Sequence, residues 1–209
     1  MEQYRILSCI FILSVFLSIM GCNGGKTKIS NVDVMIDKGE TWLGAKGSGP
    51  QFVLWVEDED GNYIATLFVT QRSTNKNFNR PEALPVWRHK KDGSQTIDAV
   101  SGATLQESPF QGYIDKDLLV DGQKYIVFLE INNSFDYNDF WNENNSGGNG
   151  QPSLIYCGTF FAGQDDSIEI VPNPIGYGSV DGSNGTITDG TENLTTALQR
   201  IKEVHLIIK

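Results

Sequence analysis

Leu118-Leu119-Val120-Asp121-Gly122-Gln123-Lys124-Tyr125-Ile126-Val127-Phe128-Leu129-Glu130-Ile131 is the stretch that decides the fold. An Asp-Gly turn closes one segment, and a tyrosine then opens an apolar, β-rich one. Upstream, the apolar run Phe52–Val56 and the run Tyr63–Thr70 flank Asp58-Glu59-Asp60-Gly61-Asn62. Two β-rich runs around an Asp-Gly turn predict a hairpin. Val32, Val34 and Ile36 alternate with Asp33, Met35 and Asp37, which predicts a first strand with one face in the core. Downstream strands are expected at Leu154–Cys157, Ser167–Val171 and Glu203–Ile208. In the last of these, Val204, Leu206 and Ile208 share a face and His205 lies on the other as strand surface. The acidic run Glu57–Asp60 reads as a solvated turn, because it lacks the spaced ligands and closing glutamate of an EF-hand.

The turn leading into Tyr125 resembles the tyrosine corner of immunoglobulin-like and fibronectin-like sandwiches, where the phenol hydroxyl fastens to backbone just upstream. Thr191–Arg200 alone suggests a helix, with Leu194, Ala197, Leu198 and Ile201 near helical spacing. Long Asn/Asp/Gly-rich loops run over Asn132–Gln151 and Pro172–Gly190. The expected fold is all-β, an immunoglobulin/fibronectin-like β-sandwich with long loops and one short helix near the C-terminus.

Composition bounds the function. The chain of 209 residues carries 16 Lys+Arg against 26 Asp+Glu, a formal charge of −10 that repels phosphate backbones and argues against nucleic-acid binding. An apolar content of 39% fits a globular protein. With two His, and Cys157 the only cysteine beyond residue 22, there are few ligands for zinc and no disulfide framework. Cys157 follows Leu154-Ile155-Tyr156 and reads as a buried thiol. No Gly-x-Ser-x-Gly, His-Glu-x-x-His, Cys-x-x-Cys, Walker-type or Gly-x-Gly-x-x-Gly motif is present.

Residues 1–21 read as an address. Arg5 precedes the apolar run Ile6–Met20, too short to span a bilayer and matched to a signal-peptide core. Ser18-Ile19-Met20-Gly21-Cys22 resembles a bacterial lipobox, which implies cleavage before Cys22 and lipid on its thiol. Residues 1–21 are then a lipoprotein signal peptide, 22–29 a lipid-attached tether containing Gly24-Gly25-Lys26-Thr27-Lys28, and 30–209 a single sandwich domain anchored to a membrane of the cell envelope.

The stretch with chemistry in it is Asp98-Ala99-Val100-Ser101-Gly102-Ala103-Thr104. It is similar to the flavinylation sequence Asp-x-x-Ser/Thr-Gly-Ala-Thr of extracytoplasmic flavoproteins, whose final threonine a flavin transferase esterifies with the phosphate of FMN. A Gly-Ala pair gives a low-bulk turn able to enter another enzyme's cleft, and Asp98 and Ser101 can fix it. The rival reading is structural, since Ser-Gly-Ala-Thr also makes a plain tight turn leading into a strand. Leu105-Gln106-Glu107-Ser108-Pro109 departs from the FMN-binding domains, where a helix follows, so their flavin pocket does not carry over. Upstream Trp87, Arg88 and His89 and downstream Phe110 and Tyr113 offer aromatics and one cation. Trp87 and Phe110 read first as core.

Tyr63–Phe68, Arg80–Trp87, Asp98–Thr104 and Tyr125–Asn132 occur in an order that resembles the predicted periplasmic proteins of domain-of-unknown-function 2271, over most of residues 30–209. That resemblance implies a secreted domain of unassigned activity. The function expected is a lipid-anchored carrier of covalent FMN on Thr104, working with a flavin transferase and redox partners, with no catalytic machinery of its own. The alternative is a non-enzymatic sandwich module recognising an envelope partner or glycan through Asn132–Gln151 and Pro172–Gly190. Within the first loop, Asp136-Tyr137-Asn138-Asp139-Phe140-Trp141-Asn142 mixes oxygen ligands with aromatics but reads first as turns.

Overall fold

The computed structural model describes residues 29–70, 73, 80–91, 100–102, 110–163 and 167–209. Strand β1 (Ile29–Lys38) realises the predicted alternation. Val32, Val34 and Ile36 are buried, while Asp33, Met35 and Asp37 keep contact with solvent. The other strands are β2 (Gln51–Asp58), β3 (Tyr63–Thr70), β4 (Val100–Gly102), β5 (Phe110–Asp115), β6 (Lys124–Asn132), β7 (Leu154–Phe161), β8 (Ile168–Ile170), β9 (Asn173–Tyr177), β10 (Thr188–Asp189) and β11 (Ile201–Ile208). They form a four-stranded sheet, β5-β1-β11-β8, and a seven-stranded sheet, β10-β9-β7-β6-β2-β3-β4. All neighbours are antiparallel except β3 and β4, which run parallel. The fold is an all-β sandwich.

The inner faces close on one hydrophobic core. Phe52, Leu54, Val56, Leu129 and Ile131 of the large sheet meet Val34, Phe110 and Leu206 of the small one. Phe110 packs its ring 5.6 Å from Phe52 and 4.5 Å from Phe68. A second cluster lies on the opposite face of the large sheet, where Val53, Trp55, Val69, Phe128 and Ile155 are covered by Leu84, Val86 and Trp87. Those covering residues come from helix α1 (Pro85–Lys90) and its entry. The unbroken apolar run of β2 follows, because a strand buried on both faces has no solvent side to alternate toward.

Both turns that decide the fold form as read. The Val120 N–H donates to the Tyr125 hydroxyl at 2.8 Å, a tyrosine corner. At the β2–β3 turn, Asp58 Oδ1 accepts the N–H groups of Asp60 (3.0 Å) and Asn62 (2.8 Å). Gly61 there takes φ +79°, and Gly122 before β6 takes φ +78°, the left-handed region that excludes most side chains.

The expected C-terminal helix is absent. Residues 191–200 wind through turns with three-residue bonds, Leu194 N–H to Thr191 and Gln199 N–H to Thr196 among them. A tertiary partner takes N–H groups a helix would use: Gln151 Oε1 accepts those of Thr195 at 2.6 Å and Ala197 at 3.5 Å, and the Thr196 side chain is held by Asp136. Among the described residues, α1 is joined by a second short α-helix, α2 (Glu143–Ser146), closed by a capping box between Asn142 and Asn145, and by 3-10 turns at Pro81–Ala83 and Lys116–Leu118. No helix among the described residues is long and apolar enough to cross a membrane.

Candidate functional site

Strand β4 holds the centre of the Asp98–Thr104 motif. Val100, Ser101 and Gly102 pair with Phe68, Val69 and Thr70, making β4 the terminal strand of the seven. Asp98, Ala103 and Thr104 lie outside the described residues, as does Cys22. At the end of β3 beside Gly102 sits a buried hydroxyl network. Thr70 Oγ1 lies 3.0 Å from Ser73 Oγ and accepts the Phe52 N–H at 3.3 Å, and Ser73 Oγ donates to Gln51 Oε1 at 3.2 Å. These bonds fix the end of β3 that pairs with Gly102.

The aromatics near the motif divide by layer. Phe110 is in the sandwich core and Trp87 is fully buried in the outer layer, where its Nε1 donates to Thr66 Oγ1 at 2.8 Å. Neither has a free ring face to offer a flavin. Tyr113 on β5 keeps part of its ring exposed, and β5 lies against β3 and β4. Arg88 is half-buried, with Nε and Nη2 unpartnered. Burial lowers its pKa, against the opposing pull of Glu130 and Glu82. His89 is exposed, its Nε2 3.2 Å from the Gly182 carbonyl.

A second constellation was not read from the sequence. Glu130 is 0% exposed in the middle of β6 and faces α1. Its Oε1 accepts the Val86 N–H (3.2 Å) and the Ser153 hydroxyl (2.7 Å), and its Oε2 accepts the Trp87 N–H (2.9 Å). Leu84, at the helix N-cap, offers no side-chain bond, so this strand carboxylate caps α1 from outside. Burial pushes the Glu130 carboxyl up to about 7, with the Ser153 hydroxyl, the two N–H groups and the Arg88 charge pulling the other way. At the other end of α1, Lys90 Nζ reaches Glu57 Oε2 (2.9 Å) and the Gly61 carbonyl (3.1 Å). Glu57 Oε1 accepts from Trp55 Nε1 at 2.7 Å. A signal existed: Glu130 shares its strand face with Phe128, and a phenylalanine there means that the face is covered. Since both Glu130 oxygens are taken up by structural donors, the arrangement fastens a helix to a sheet and leaves no free base for proton transfer.

The loop residues are likewise committed. Asp136 pairs with the buried Arg200 and bonds Thr196, and Asn138 Oδ1 accepts the Phe140 and Trp141 N–H groups at 3.0 and 2.7 Å. Asn142 caps α2. Trp141 sits edge-on between Phe140 and Tyr177, and Phe140 is exposed. The expected loop Pro172–Gly190 is in part sheet, since it contains β9 and β10, and the turn between them folds back onto α1: a Cβ at Gly178 would stand 2.8 Å from Pro85 and 2.6 Å from Ser153. Cys157 is half-buried, and burial raises its thiol pKa. His205 is not bare strand surface, for its ring nitrogens meet Glu169 Oε1 (2.8 Å) and Glu203 Oε2 (3.1 Å).

Residues 30–130 match the family model described as a predicted periplasmic protein, DUF2271. The match runs from β1 to Glu130 and contains the motif and the tyrosine corner, and it covers a little under half of the chain, leaving residues 131–209 outside it. Neither the curated proteins nor the solved structures gave a match.

Proposed function

We propose that this is a lipid-anchored periplasmic domain, held by Cys22, that carries FMN covalently on Thr104 and passes electrons between envelope partners. One observation carries the reading: β4 has a partner on one side only among the described residues, as the outermost strand of the large sheet. A modification sequence on a sheet margin meets a foreign active site without opening the core. The periplasmic family description supports the compartment in which flavin transferases of this kind act.

In the attachment step the threonine Oγ–P bond forms as the bond between the FMN phosphate and its adenylate carrier breaks. The threonine proton leaves, and the chain gains one FMN less one water. FMN supplies the electron chemistry when bound, and the protein supplies position and access.

The test is the intact mass of the chain matured with a flavin transferase. One added FMN, abolished by Thr104→Ala, is expected; an unchanged mass beside a flavinylated control substrate overturns the proposal. A non-enzymatic module for an envelope glycan or protein is the competing reading. It is favoured by Phe140, which is 50% exposed and edge-on to Trp141. Glycan-dependent quenching of tryptophan emission would support it.

A further inference from the structure

The end of the sandwich that carries the tyrosine corner has an apolar tip. Leu118 (48% exposed) and Val120 (62%) stand on the segment leading into β6, and Phe161 (50%) is the last residue of β7. The two segments are tied by backbone bonds from Gly122 N–H to the Ala162 carbonyl (2.8 Å) and from Ala162 N–H to the Gln123 carbonyl (2.9 Å). The three side chains therefore stand on a fixed frame. Each stabilises an apolar contact by about 25 cal/mol per Å² withdrawn from water.

The chain enters the fold at this same end. Ile29, the first residue of β1, pairs with Asp115, which immediately precedes the turn Lys116–Leu118. Cys22 lies seven residues before Ile29, a reach of at most roughly 25 Å when fully extended. We infer that the tip formed by Leu118, Val120 and Phe161 docks on the surface of the bilayer holding the Cys22 anchor, with these side chains at the headgroup–acyl boundary. The inference rests on the lipid-anchor part of the proposed function.

Three side chains are too few to bind a membrane alone, but a short tether turns the contact into an intramolecular one at high effective concentration. Charge selects the lipid. Asp115, Asp117 and Asp121 surround the tip with Lys116, and Lys124 is engaged by Glu59 at 3.6 Å. Lys26 and Lys28 of the tether offset this acidic rim in charge, so the docking end fits zwitterionic headgroups. Docking also orients the domain: β3 runs away from the tip and β4 runs parallel to it, so the β4 strand points away from the bilayer.

The full lipidated chain carrying Phe161→Trp, in phosphatidylcholine vesicles with or without bromine on the upper acyl carbons, tests this. The four native tryptophans are buried and give a constant background. Expected are flotation with the vesicles, a blue-shifted emission from the new tryptophan, and its quenching by brominated lipid. The quenching should be lost on adding Leu118→Ser with Val120→Ser. Val120→Trp serves as a second reporter. Flotation with equal emission in brominated and plain vesicles from both reporters overturns the docking and leaves the anchor standing. Failure to float overturns both.

Discussion

Glu130 Oε2 accepts the Trp87 backbone N–H at 2.9 Å, so a carboxylate in the middle of a strand closes the first turn of a helix remote in sequence. Glu130→Ala leaves the Val86 and Trp87 N–H groups and the Ser153 hydroxyl without their acceptor, and leaves Arg88 with Glu82 alone of its two counter-charges. The expected loss is about 3–5 kcal/mol in urea unfolding. Glu130→Gln keeps the shape but turns one acceptor into a donor facing an N–H or the serine, for a loss of about 1–3 kcal/mol.

The same residue gives the fold a pH dependence. Its carboxyl is raised from 4.5 to about 7 by burial, so the native state binds the proton more tightly than the unfolded chain. The contribution is full below pH 4.5 and is lost as pH rises through about 7, amounting to about 3 kcal/mol. Urea midpoints of wild type and Glu130→Gln between pH 4 and 8 isolate it: the advantage of wild type shrinks as pH rises. A difference constant with pH would refute it. His205, raised by its bonds to Glu203 and Glu169, adds a further fall above its ordinary titration range that His205→Asn removes.

Tyr125→Phe deletes the hydroxyl that accepts the Val120 N–H. The urea midpoint is expected to fall by the equivalent of about 1 kcal/mol, with an unchanged slope.

Arg200, 1% exposed, is paired with Asp136, and burial lowers its pKa against the Asp136 charge. Asp136→Ala is expected to cost about 3–5 kcal/mol by leaving the guanidinium uncompensated, and adding Arg200→Met to recover part of it. Additive losses in a thermal-unfolding double-mutant cycle would contradict this coupling.

The layers of this fold were unequally legible. Val32, Val34 and Ile36, the hairpin around Gly61 and the Tyr125 corner could be read because their signals are local: a period of two, a turn residue, a turn followed by an aromatic. Trp87 and Glu130 belong to an outer layer whose partner elements lie far apart in sequence, and no local pattern separates a core tryptophan in the sandwich from one behind the sheet. Thr191–Arg200 misled for a related reason, as its helical spacing was overridden by hydrogen bonds from Gln151 and Asp136. Of the Asp98–Thr104 stretch, β4 fixes the backbone of Val100–Gly102 alone, so the proposal for Thr104 rests on the sequence pattern.

Because α1 is fastened at its start by Glu130 and at its end by Lys90 to Glu57 and Gly61, its six residues have no independent way to fray. The Arg88 and Lys91 amides, bonded to Leu84 and Trp87, should then exchange with deuterium only when the large sheet itself opens. A helix too short to survive alone thereby acquires the protection of the most persistent strands in the molecule.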